Sequence, residues 1–83
     1  MDRIIDIINM WDPIEFFPLA PKDEYLDEVK KIYEYITTNK KVDPEMLAEK
    51  INNIFLKSFG EDVYNEDITQ CRVVAEKILN IKK

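Results

Sequence analysis

Carboxylates are the side chains whose spacing comes nearest to a chemical pattern. Asp23/Asp27 and Glu24/Glu28 are each four residues apart, and on a helix each pair would project from one side of a turn. Acidic pairs facing one another across a helical bundle can hold a hard cation such as magnesium, the device of all-α nucleotide pyrophosphohydrolases. Those enzymes set Glu-x-x-Glu against Glu-x-x-Asp on facing helices. Glu24-Tyr25-Leu26-Asp27 has the second spacing, but Glu45 and Glu49 are four apart and no Glu-x-x-Glu partner is present. The competing expectation is a solvated acidic face that complements a helix dipole.

Other catalytic groups are scarce. The chain has no histidine, which removes the commonest general base and every Ser-His or Cys-His nucleophile. Ser58, the only serine, sits beside Phe59 and Gly60 with no base near it in sequence, and reads as an ordinary helix position. Cys71 falls on an apolar stripe with only Arg72 as a basic neighbour, and reads as a small core residue. A single glycine cannot build a phosphate-cradling loop. The preferred reading therefore needs no catalytic residue, cofactor or metal.

Acidic residues outnumber basic ones, 17 to 12, for a formal charge of -5. Nucleic acid is an unexpected ligand, because Lys30/Lys31, Lys40/Lys41 and Lys82/Lys83 are short and scattered. A basic protein partner would suit the charge better. One cysteine excludes an intramolecular disulfide and fits a reducing compartment. The apolar stretch from Ile4 to Met10 is broken by Asp6 and Asn9 and lacks a cleavage site, so no signal peptide is expected. No run reaches the roughly 18 apolar residues of a membrane span. These features lead to the expectation of a cytoplasmic protein.

In the stretch Trp11 to Pro21, WDPIEFFPLAP, composition points to recognition chemistry. It gathers aromatic and aliphatic residues with Pro13, Pro18 and Pro21, and a rigid apolar loop suits protein binding. Together with the start of the next helix, the expected surface is Trp11, Asp12, Pro13, Phe16, Phe17, Asp23, Glu24 and Tyr25. The alternative is that these aromatics cap the core, which a small chain needs to fill.

Four amphipathic helices must position these groups, and 83 residues suffice for one core and one domain, 1–83. Such a small core leaves room for self-association to add buried area. Ile4, Ile8 and Trp11 recur at helical spacing over about Arg3 to Trp11, and the pre-proline Asp12 ends that helix. Asp12-Pro13-Ile14-Glu15 then reads as a capping box opening a short turn over Pro13 to Phe17, with Trp11 and Phe16 as its staple. Tyr25, Val29, Ile32, Tyr33 and Ile36 mark a second helix from about Lys22 to Thr38, stopped at Asn39. Asp43 and Pro44 cap a third helix, with Val42 stapled to Leu47. Leu47, Ile51, Ile54, Phe55 and Phe59 form its inner face, and Gly60 its left-handed stop. A polar link, Glu61 to Tyr64, leads to Asn65 as the cap of a last helix. That helix carries Ile68, Cys71, Val74, Ala75, Ile78 and Leu79, and ends near Ile81. The short links predict a compact all-α bundle with the first helix and its Pro-rich loop packed across it.

Trp11-Asp12-Pro13-Ile14, followed by Asp23-Glu24-Tyr25 and Glu28, an Ile/Phe-rich third helix and an alanine-containing last helix, resembles the YugE-like, DUF1871-type family of small bacterial proteins. The resemblance spans nearly the whole chain. It implies an all-α fold and supplies no activity, substrate or partner. By analogy, small Trp-Asp-Pro proteins invite comparison with bacterial immunity proteins, in which an acidic helical face covers a cationic toxin. The preferred functional expectation is a non-enzymatic, acidic, helical interaction or accessory module.

Overall fold

The computed structural model describes residues 2–14, 24–39 and 41–81. Their helices are α1 (Asp2–Trp11), α2 (Leu26–Thr38), α3 (Pro44–Phe59) and α4 (Ile68–Asn80), and no strand occurs among them. Packing runs in a ring, with α1 against α2, α2 against α3, α3 against α4, and α4 back against α1. Ile4 and Ile8, Val29, Ile32 and Ile36, Leu47, Ile51 and Phe55, and Cys71, Ala75 and Ile78 fill the middle, so every helix supplies part of one core. The bundle expected from the four apolar stripes is the bundle observed. No helix among the described residues is long and apolar enough to cross a membrane.

Local chemistry explains the boundaries. Asp43 has extended backbone and accepts a hydrogen bond from the Met46 amide at 2.8 Å, with Pro44 in the first turn where no amide proton is needed. Replacing Asp43 by alanine should therefore lower stability by about 1 kcal/mol, read as a shift of the urea midpoint. Asn39 closes α2, its side-chain amide donating to the Tyr35 carbonyl at 2.8 Å. Gly60 has the positive φ expected of it, +81°, but with ψ at 160° it turns into extended rather than left-handed helical backbone. Few residues other than glycine tolerate that combination.

Four expectations are corrected. α2 begins at Leu26 with Tyr25 at its N-cap position, so Glu24 lies in the preceding turn rather than inside the helix. Tyr33 is 42% exposed, because the seam with α3 turns the inner face of α2 toward Glu28 and Tyr35. The cap of α4 is Asp67, whose carboxylate accepts from the Gln70 amide at 3.1 Å, not Asn65. Ile68, next to that cap, is 52% exposed, since the inner stripe of α4 begins one turn later at Cys71. The expected short turn over Pro13 to Phe17 is a turn at Pro13 and Ile14; the rest of it lies outside the described residues.

Candidate functional site

Trp11 closes α1, Tyr25 opens α2, Phe55 and Phe59 lie in the last two turns of α3, and Tyr64 follows in the link to α4. All five meet at one end of the bundle. The Phe55 ring is the hub, 5.2 Å from Trp11 and 5.7 Å from Tyr25 edge-on, and stacked at 5.8 Å on both Phe59 and Tyr64. Edge-to-face and offset stacks are the geometries that aromatic quadrupoles favour.

Tyr25 ties this cluster to the Trp-Asp-Pro segment. Its hydroxyl donates to Asp12 Oδ1 at 2.6 Å and accepts from the Ile14 amide at 3.1 Å. Asp12 has φ of +44°, and its amide donates to the Ile8 carbonyl, so it ends α1 in the left-handed region. Aspartate is one of the few residues with a Cβ that accept this conformation. The extended backbone expected of Asp12 as an N-cap is thus corrected. Glu15 and Phe16, the remainder of the proposed capping box and staple, lie outside the described residues. The two halves of the sequence signature are joined by one phenol: Tyr25, just before α2, bonds both Asp12 and Ile14 just past the end of α1.

Of the expected surface, Trp11, Asp12 and Pro13 are half-buried and Glu24 is exposed, while Phe16, Phe17 and Asp23 lie outside the described residues. Tyr25 is a correction. At 1% exposure it bonds Asp12 and Ile14 from inside the core and offers no face to a partner. Tyr25→Phe should keep the ring packing but leave Asp12 and the Ile14 amide each short of a partner, lowering stability by about 1–3 kcal/mol. Hydrogen exchange at the Ile14 amide should accelerate; unchanged exchange would show that the Tyr25 hydroxyl does not hold that amide.

Sequence reasoning placed Tyr64 in a polar link, yet it is 1% exposed. Its hydroxyl donates to Asn52 Oδ1 at 2.8 Å, and its 3.2 Å contact with Cys71 Sγ must then take the thiol proton, since a phenol has one hydrogen to give. Asn52 in turn donates to Glu66 at 2.9 Å. The chain of contacts staples the α3–α4 link onto both helices. Burial pushes the Cys71 thiol up against the opposing contact with Tyr64, and Asp67 and Glu66 add to the rise, so the sulfur stays protonated as its core position requires. An aromatic four residues beyond the helix-ending glycine was the available signal for Tyr64.

Of the two carboxylate pairs, Asp23/Asp27 lies partly outside the described residues, and Glu24/Glu28 is not set on one helix face. Glu24 precedes α2 and is exposed, whereas Glu28 is buried beside Ser58 in the α2–α3 seam. They share no helix turn. No group of three metal-binding side chains occurs among the described residues. Burial, and then the charge of Asp27, hold the Glu28 carboxyl above the usual glutamate range, against the opposing pull of Lys31 and the Ser58 hydroxyl. A raised folded-state pKa favours folding fully below the unfolded value of 4.5, and this contribution fades as pH rises through the raised one. Glu28→Gln should therefore melt higher than the parent at neutral pH, with the gap closing toward about pH 4. A gap that widens on acidification would refute this assignment.

A family model described as a domain of unknown function, DUF1871, matches residues 3–83. The chain belongs to the DUF1871 family. The Trp-Asp-Pro resemblance is thereby borne out across essentially the whole sequence. No curated protein and no solved structure matches the chain.

A second feature adjoins the aromatic end. Between α1 and α4 lies a recess of about 280 Å³ lined by Ile7, Met10, Trp11, Val73 and Val74, with Gln70 and Lys77 beside them. Met10 is 87% exposed there. Glu24 before α2, Asp27 in its first turn, and Glu61, Asp62, Glu66 and Asp67 in the α3–α4 link are all exposed.

Proposed function

We propose that the protein is a non-enzymatic interaction module that engages a basic protein partner through the aromatic end and the adjoining α1–α4 recess. One observation carries the reading: Met10, 87% exposed, stands with half-buried Trp11 in a largely apolar recess bordered by Gln70 and Lys77, on a chain of net charge -5. An apolar centre with a charged border is the usual anatomy of a recognition patch. Methionine adapts its shape to a partner, and tryptophan is enriched among residues that carry binding energy. The net negative charge would steer a cationic partner and disfavour acidic ones. Neutralisation of a cationic toxin, as in immunity proteins, is a narrower form of the same reading and shares its acidic surface.

Affinity capture with the parent protein beside Met10→Asp tests the proposal, because so exposed a side chain can change without loss of fold. The parent should retain basic proteins that the variant loses and that high salt releases. Equal capture by both proteins would reject the recess as the binding surface. A parent dimer that Met10→Asp dissociates would make the partner a second copy and reject the basic-partner reading. For the immunity form, the captured protein should be toxic when expressed alone and harmless with the parent.

A further inference from the structure

We propose that the groove between α2 and α3 binds a phosphorylated small molecule of nucleotide size through Lys31, Lys50 and Lys57. This goes beyond the interaction surface above. In the ring of helices, the α2–α3 seam lies opposite the α1–α4 seam, so each can be altered without touching the other.

The groove is an open recess of about 460 Å³, within the range of small-molecule sites. α3 contributes Lys50, Asn53 and Lys57, and α2 faces it with Lys31 and Tyr35. Lys50 and Lys57 are seven residues apart, so they leave one face of α3 at points about 10 Å apart along the axis. That span suits several phosphate groups rather than a single carboxylate.

Charge marks the groove out from the rest of the molecule. In a chain of net charge -5, three lysines converge on a lining with one acidic residue, Glu34. Arg72, by contrast, is paired with Glu45 at 3.2 Å and Glu76 at 3.7 Å. None of the three lysines makes an ion pair among the described residues. Lys31 is close enough to Glu28 to oppose the rise in its pKa, but that carboxylate is buried in the seam. Lys50 Nζ sits over the Tyr35 ring, 5.4 Å from its centroid, which holds the ammonium at the groove. Asn53 adds an exposed amide donor. The groove thus gathers three cations that form no ion pair among the described residues.

The shape argues against larger occupants. A helix docked in a groove is held by apolar anchors at successive turns, and the lining offers only buried Ile54 and half-buried Tyr35. Three cations on a net acidic protein are too few to hold a nucleic-acid backbone. Multiply charged phosphates need only the cations and donors present.

Amide NMR titrations of the intact protein with inorganic triphosphate and, separately, with ATP test the proposal. Both probes should shift amides around Lys31, Tyr35, Lys50, Asn53 and Lys57 saturably. Equal affinity for the two would identify recognition of phosphate alone; tighter ATP binding would add recognition of the base, and either result supports the site. The double variant Lys50→Gln/Lys57→Gln should bind about tenfold or more weakly. Lys77→Gln, on the opposite seam, should change affinity less than about twofold. Absence of saturable shifts up to roughly 10 mM probe would overturn the proposal. So would shifts centred elsewhere, equal losses in the Lys77 variant, or an acidic peptide binding this groove more tightly than either phosphate.

Discussion

Phe55→Ala is expected to cost about 3–5 kcal/mol, the largest effect of any single substitution considered. Phe55 is fully buried and meets four other rings, from Trp11, Tyr25, Phe59 and Tyr64. Removing it opens a cavity where α1, α2, α3 and the α3–α4 link meet, and those elements cannot all collapse into the gap at once. A domain of this size has about 4–12 kcal/mol to lose, so the variant should sit near the edge of folding. Urea unfolding followed by Trp11 fluorescence reads the change directly, since the indole lies against the deleted ring. A loss below about 1 kcal/mol would mean that the cluster is not the keystone of this end.

Ile51→Ala is expected to cost about 2–5 kcal/mol, whereas Ile68→Ala should stay within about 0.5 kcal/mol. Both isoleucines fall on apolar stripes at helical spacing. Ile51 is fully buried in the middle of α3, between α2 and α4, while Ile68 is more than half exposed in the first turn of α4. Melting the two variants side by side separates periodicity from burial. Equal losses would mean that the exposed end of α4 packs in solution, contrary to the structure.

That pair also shows how far the helical stripes can be trusted. Leu47, Ile51, Ile54 and Phe55 were legible as an inner face because α3 is flanked on both sides, so a broad arc of its surface is covered. Tyr33 failed for the opposite reason. The inner face of α2 is rotated toward its seam with α3, which brings Glu28 inward and leaves Tyr33 outside. An amphipathic pattern carries the width of an apolar face but not the direction from which a neighbour approaches.

The candidate interaction surface was legible only in part. Trp11, Asp12 and Pro13 drew attention through composition, but the clamp that joins Asp12 and Ile14 to Tyr25 depends on residues eleven and thirteen positions apart. Such a contact leaves no periodic trace. Met10 and Val73 were passed over because each looks unremarkable alone, and only the packing of α1 on α4 puts them in one recess. The lysine groove was hidden in the same way, since Lys31 comes from α2 and Lys50 and Lys57 from α3.

What could be read from the residues in order is what neighbouring residues settle among themselves. The proline after Asp12 forces a helix to end, Asp43 with Pro44 starts another, Gly60 permits a turn, and apolar repeats place four helices in the chain. Each rests on backbone sterics or hydrogen bonds reaching no more than a few positions. Packing alone chose Asp67 over Asn65 as a cap, drew Tyr64 inside, buried Glu28, and brought three lysines together on an acidic protein. Those outcomes depend on which surfaces meet across long separations, and a local pattern is equally consistent with several such meetings.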